Sequence, residues 1–127
     1  MAAEHVKFSY SAPAATTGIA KYRFVTYGAS GVAYPPAGGL GVVGVTWTTF
    51  SSATTSTGRW GTVALEGLVK VTAPSSTLAA GDRCSASTAG QAIPLSAGYN
   101  ELGTVVHGSS GGAGRVLSVQ LTFMGTT

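Results

Sequence analysis

The run Arg115 to Met124 alternates apolar with polar residues. Leu117, Val119, Leu121 and Phe123 fall in one phase, Ser118, Gln120 and Thr122 in the other. Successive side chains of a β-strand leave opposite faces, so this period marks a strand with one buried and one wet face. The run from Thr62 to Thr72 repeats it. Its odd positions are Val63, Leu65, Gly67, Val69 and Val71; its even positions are Thr62, Ala64, Glu66, Lys70 and Thr72, with Leu68 as the exception. Half-buried strands of this kind belong to antiparallel sheets.

Nothing competes with strands for the rest of the chain. Gly, Ser, Thr and Val dominate, and the straight-chain helix formers are sparse. The best helical segment, Ser75 to Ala80, is held to about one turn by Pro74 and Gly81. Weaker strands are expected over Lys21 to Tyr27, Gly41 to Trp47, Arg83 to Ser87 and Gly103 to His107. Turn chemistry separates them: Tyr34-Pro35-Pro36-Ala37-Gly38-Gly39, Ala79-Ala80-Gly81-Asp82, and the glycine-rich Gly108 to Gly114. Short strands at this spacing predict an all-β fold, a small antiparallel β-barrel or sandwich.

The first 20 residues differ. Val6, Phe8 and Tyr10 alternate with Lys7, Ser9 and Ser11, and the pattern is lost from Ala12 to Thr17. This reads as an extended N-terminal arm, residues 1–20, leading into a single β-rich domain, residues 21–127. With no core of its own, the arm is expected to pack on a neighbouring chain by strand addition. The polar stretch Thr48 to Gly58, between Trp47 and Trp60, reads as a long loop or irregular hairpin.

Charge narrows the function. Only 9% of residues are charged, seven basic and four acidic, for a net charge of +3. The bases are scattered, so no patch neutralises a run of phosphates and nucleic acid is not an expected partner. No apolar stretch approaches the roughly 20 residues needed to span a bilayer. Glu4, His5 and Lys7 stand where a secretory signal needs an apolar block, so neither membrane nor export is expected. A surface poor in charge is expected to be covered by partners.

Candidate chemistry is thin. Gly39-Leu40-Gly41-Val42-Val43-Gly44 matches GxGxxG, but two prolines precede it and a strand-like run follows, where a dinucleotide site needs a strand and then a helix. A glycine-rich strand with close backbone approach fits better. Gly108 to Gly114 lacks the lysine ending of a phosphate loop. Cys84, His107 and Asp82 have the residue types of a nucleophile, base and orienter without supportive spacing, and a lone strand cysteine behaves as a small buried apolar residue. His5 and His107 lack a third metal ligand, and Glu4, Glu66, Asp82 and Glu101 are far apart. No enzymatic activity, cofactor or metal is expected. Binding residues are sought instead among exposed apolar groups: Val6, Phe8, Tyr10, Pro13 and Ile19 of the arm, with Trp47 and Trp60 of the body.

The ordered series Val63-Ala64-Leu65-Glu66-Gly67-Leu68-Val69-Lys70-Val71, Leu78-Ala79-Ala80-Gly81-Asp82-Arg83, Leu102-Gly103-Thr104-Val105-Val106 and Val116-Leu117-Ser118-Val119-Gln120-Leu121 resembles the bacteriophage capsid cement, or head decoration, proteins. The resemblance spans roughly Gly41 to Phe123. It implies a small β-barrel-like domain on the outer surface of the virion capsid, binding the major capsid protein and reinforcing the shell. It further implies oligomers, a trimer ahead of a dimer, and an N-terminal segment engaging the capsid. The Thr-rich Trp47 to Trp60 segment and the arm depart from the family pattern. Other virion components (tail, fibre or minor capsid protein) share this composition. A carbohydrate-binding β-sandwich stacking sugars on Trp47, Trp60 or Tyr34 is the remaining alternative.

Overall fold

The computed structural model describes residues 9–13, 18–28, 31–50, 60–74, 78–108 and 115–126, with backbone alone at 9–13, 60 and 123–126. These residues form ten strands in two five-stranded antiparallel sheets. The first sheet holds β1 (Ser9–Pro13), β2 (Phe24–Gly28), β3 (Gly31–Ala33), β4 (Val42–Thr46) and β5 (Trp60–Ala64), in the order β1-β5-β4-β2-β3. The second holds β6 (Leu68–Ala73), β7 (Arg83–Ala86), β8 (Ala92–Pro94), β9 (Asn100–His107) and β10 (Arg115–Thr126), in the order β6-β10-β9-β7-β8. One 3-10 turn, Ala37–Gly39, is the sole helical element among the described residues. The edges of each sheet, β1 with β3 and β6 with β8, approach each other, so the sheets curl. The all-β barrel or sandwich expected from the alternation is the fold observed.

The alternating runs read correctly in phase but not always in extent. Leu117, Val119 and Leu121 of β10 are buried, opposite Val71, Val69 and Gly103. The run Thr62 to Thr72 is not one strand. It breaks at Leu65-Glu66-Gly67, where Gly67 takes a φ of 97°, and its halves enter different sheets. The odd positions stay apolar across the turn although they face different clusters, Val63 the first sheet's own and Val69 and Val71 the shared one, which is why the break is invisible in the pattern. The expected helical turn at Ser75 to Ala80 falls partly outside the described residues; Leu78 makes an isolated bridge and Ala80–Gly81 is a turn.

β2 shows what distinguishes the first sheet. Phe24 and Val25 are adjacent, hence on opposite faces, and both are fully buried. Phe24, Val45 and Ala64 join a large apolar cluster with Val69, Val71, Val105, Leu117 and Val119 of the second sheet. Val25, Val32 and Val63 form a separate cluster with Ile19 and Phe50. Close packing requires glycine at two strand positions. A Cβ on Gly44 would lie 2.4 Å from the Ala64 carbonyl oxygen, and one on Gly103 would lie 2.5 Å from Val119 Cγ1. Gly44 is the third glycine of the GxGxxG match, so its role there is close backbone approach within a strand.

Three polar ties join the sheets. Buried Thr46 donates its hydroxyl to the Ala20 carbonyl at 2.8 Å and accepts the Arg23 N–H at 2.9 Å. The Tyr22 N–H donates to the Thr46 carbonyl, and the Tyr22 carbonyl accepts the N–H of Thr72 on β6, each at 2.8 Å. Tyr22 sits at φ 63°, the only described non-glycine residue in the left-handed region. The second tie is the Phe24 N–H to the Gly90 carbonyl at 2.7 Å, beside Arg23 Nη1 to the Ala89 carbonyl at 3.0 Å. In the third, Ser85 Oγ donates to the Gly38 carbonyl at 3.1 Å and Asn100 Nδ2 to the Gly39 carbonyl at 3.3 Å.

Candidate functional site

Of the binding residues expected from sequence, the register brings Pro13, Trp60 and Trp47 to one end of the first sheet: Pro13 pairs with Trp60, and the Trp47 N–H donates to the Thr62 carbonyl, two residues along β5. Val6 and Phe8 lie outside the described residues. Tyr10 and Pro13 fall on β1, opposite Val63 and Trp60 of β5, and for these two and Trp60 only the backbone is described. Strand addition by the arm is therefore seen within the chain: β1 extends the chain's own first sheet, in register from Ser9↔Ala64 to Pro13↔Trp60. Ile19 is a correction. It is 3% exposed, bridged to Phe50 by reciprocal backbone hydrogen bonds of 3.1 and 2.7 Å, and packed in the first sheet's cluster. A side chain with that burial has no surface left for a partner.

Trp47 is available, with 52% of its surface exposed. Its backbone is fixed at the end of β4 by its N–H to the Thr62 carbonyl at 2.8 Å, while the Thr62 N–H donates to Thr48 Oγ1 at 3.0 Å. Lys21 Nζ stands 5.1 Å from the Tyr22 ring centroid, a cation–π contact near the same end.

The acid–base candidates do not assemble into reactive chemistry. Cys84 is fully buried on β7. Burial first, then the neighbouring Glu101 carboxylate, push its thiol up to about 12, against a lowering backbone hydrogen bond at Gly103. Such a thiol holds its proton and is a poor nucleophile. His107 is exposed at the end of β9. Asp82 Oδ2 accepts the Ala79 N–H at 2.8 Å and thereby closes the turn before β7. Glu101 is buried and reaches Arg83 Nη1 at 3.5 Å. Among the described residues no cluster of three or more His, Cys, Asp or Glu side chains is arranged to hold a metal. An open cleft of about 450 Å³ is lined by Leu78, Gly81, Asp82, Arg83, Pro94 and Leu95. Its two charged residues already have partners in Ala79 and Glu101.

Sequence reasoning passed over the exposed apolar residues of the second sheet. Leu68 is 56% exposed, Val106 50% and Val116 43%. They stand on β6, β9 and β10, which are neighbours in the sheet. The signal was present: Leu68 and Val116 are apolar residues in the polar phase of the two alternating runs.

Comparison with known proteins supports the architecture. No family model matches the chain, and no curated protein matches its sequence. The fold does have a counterpart. The crystal structure of the head fiber gp8.5 N base of bacteriophage phi29 matches with a TM-score of 0.70, covering 94% of this chain and 98% of that chain at 13% sequence identity. At that identity the likeness is one of fold.

Proposed function

We propose that this chain is a structural protein of a phage virion: a decoration, or cement, protein that binds the outer surface of the assembled head and stabilises it by bridging subunits of the major capsid protein. The observation that carries the reading is the near-complete match of its fold to the base of a phage head fibre. The ordered motif series and the poverty of charge support it from the sequence side.

The mechanism is one of multiplicity. A copy seated where shell subunits meet touches more than one of them. When one contact opens, the others hold the copy in place at high effective concentration, so separation of subunits requires several contacts to fail together. Few charges on the body means little desolvation cost when a face is covered. Trp47 offers an amphipathic anchor on a fixed backbone. Neighbouring copies, as a trimer, complete the assembly in this reading.

The fold match also favours a second reading, in which the chain is the base of a fibre or another minor virion component. Copy number separates the two. Decoration of the shell predicts copies on the order of hundreds per particle, and heads stripped of the protein should lose heat resistance and regain it when the protein is added back. A few copies at isolated positions would replace decoration by the fibre-base reading. Absence from virions would overturn both.

A further inference from the structure

The second sheet has a face that is covered over one part and bare over another. Leu102 and Val106 lie two rungs either side of Thr104 on β9 and share that face. Leu102 is 2% exposed because the 3-10 turn lies over it: a Cβ on Gly39 would stand 3.0 Å from Leu102 Cδ1. Val106 is 50% exposed. The same strand therefore presents one apolar residue to a turn that covers it and another that is half open. The bulge between Ser118 and Val119, where β10 meets β9, leaves both Val106 and His107 exposed instead of turning one inward.

The bare part is continuous. Leu68 pairs with Gln120, which pairs with Thr104; Lys70 pairs with Ser118, which pairs with His107. Val116 lies two residues before Ser118 in the same phase and pairs with Thr72, which is buried, so the bare part ends there on β6. Leu68, Val106 and Val116 thus enclose a patch of roughly 200 Å², from three strands about 4.8 Å apart and four residues of about 3.4 Å rise. The other exposed large apolar residues, Tyr27, Tyr34, Leu40 and Trp47, belong to the first sheet and its connections.

Charge chooses the occupant. Lys70 is exposed on this patch and His107 borders it. The nearest carboxylate in sequence, Glu66, lies in the turn ahead of β6, and buried Glu101 is paired with Arg83. A second copy would bring the same Lys70 to a face whose described strand residues hold no exposed carboxylate to meet it. A partner with carboxylates around an apolar centre is complementary instead.

We infer that the face formed by β6, β10 and β9, centred on Leu68, Val106 and Val116 with Lys70 beside them, is the surface that docks on an acidic, partly apolar patch of the shell subunit. This rests on the decoration reading and adds to it which side of the protein meets the capsid. The patch is about a quarter of the roughly 800 Å² that each partner contributes to a standard interface, so it forms part of that interface, with Ser118 and Gln120 of the central strand inside it and Thr104 on its β9 side.

The test compares wild type with Leu68→Glu/Val106→Glu, with Lys70→Glu, and with Leu40→Glu, whose leucine is equally exposed at 55% but lies before β4. Occupancy is measured on purified heads lacking the protein, at low and high salt, alongside sedimentation of the free proteins. Wild type and Leu40→Glu should saturate the heads. The double variant should bind at least about tenfold more weakly, and Lys70→Glu should bind more weakly at low salt and recover as salt rises, the reverse of wild type. As a check independent of substitution, wild-type amides of β6 and β9 should gain exchange protection on heads relative to the free protein. Full occupancy by the double variant, or no gain in protection, overturns the docking face while leaving decoration standing. A change in sedimentation with occupancy preserved assigns the face to a second copy and also overturns it. Heads that stay bare of wild type overturn both the face and the decoration reading.

Discussion

The two sheets solve the same problem differently. The second has the longer central strands, eight residues in β9 and 12 in β10; along β10 one phase is buried and the other largely polar, while its β7 buries Cys84, Ser85 and Ala86 in a row. The first is built from strands of three to five residues, and its β2 buries both faces, Phe24 towards one cluster and Val25 towards the other. It is also the sheet that needs a polar hub, because Ala20 to Arg23 must be tied in by Thr46. A sheet wet on one face advertises itself by period two. A sheet buried on both faces is held by particular contacts, and its sensitivity to substitution should follow those contacts instead of the pattern.

The largest effect is expected where that difference is sharpest. Phe50 is 1% exposed, bridges to Ile19, and fills the space that a Cβ on Gly61 would occupy at 2.6 Å. Phe50→Ala should cost about 3–5 kcal/mol, as large-to-small changes at aromatic core sites do. Phe24 and Val25 couple the two clusters through one strand, so denaturant unfolding of the variant should remain a single transition by near-UV and far-UV circular dichroism. Two separated transitions would show the sheets to be independent units and would break the comparison.

A smaller loss is expected at Thr46. Thr46→Val keeps the shape and deletes the hydroxyl, orphaning the Arg23 N–H and the Ala20 carbonyl. The cost should be about 2–3 kcal/mol, since buried groups left without partners forfeit their solvation. Thr46→Ser keeps both bonds and should lose about 1 kcal/mol or less by urea titration. Equal losses in the two variants would mean that packing, not the hydroxyl, holds the segment.

This contrast explains what was legible in the sequence. β10 and β6 could be read because one phase is apolar. β4, β7 and β9 were placed from residue type and turn chemistry, with ends off by one to three residues. β3 and β8, at three residues each, are too short to show a period, and β8 ends in Pro94, which an edge strand tolerates. The split of Thr62 to Thr72 between sheets was hidden because the odd positions are apolar on both sides of the Leu65-Glu66-Gly67 turn, although Val63 packs in one cluster and Val69 and Val71 in the other. Ile19 was misassigned to a partner because its bridge to Phe50, 31 positions along the chain, has no local signature. The exposed face of Leu68, Val106 and Val116 was half legible: two of the three broke the alternation, and that departure was itself the clue.

The second sheet carries a buried thiol that the first lacks, and it offers the mildest way to set the sheets apart. Cys84 is buried between Glu101's charge and the backbone of β9, and its thiol is pushed from 9.0 to about 12, mainly by burial and then by that carboxylate. In the unfolded chain the thiol loses its proton near its ordinary value; in the folded chain it keeps it to about 12. Between these limits the unfolded state binds fewer protons, so stability falls as pH rises. The contribution is fully present below about pH 9 and is lost progressively towards pH 12, at a little over roughly 1 kcal/mol per pH unit. The quantity to measure is the difference between wild type and Cys84→Ala in urea midpoint from pH 8 to pH 11. Cys84→Ala should be the less stable at pH 8, by about 1 kcal/mol for the lost sulfur contacts, and should close that gap as pH rises. Glu101→Gln removes the second cause and should flatten the wild-type slope by less than Cys84→Ala does. Parallel pH dependences for wild type and Cys84→Ala would show that the thiol exchanges its proton in the folded state, and that the second sheet opens at β7 more readily than its burial implies.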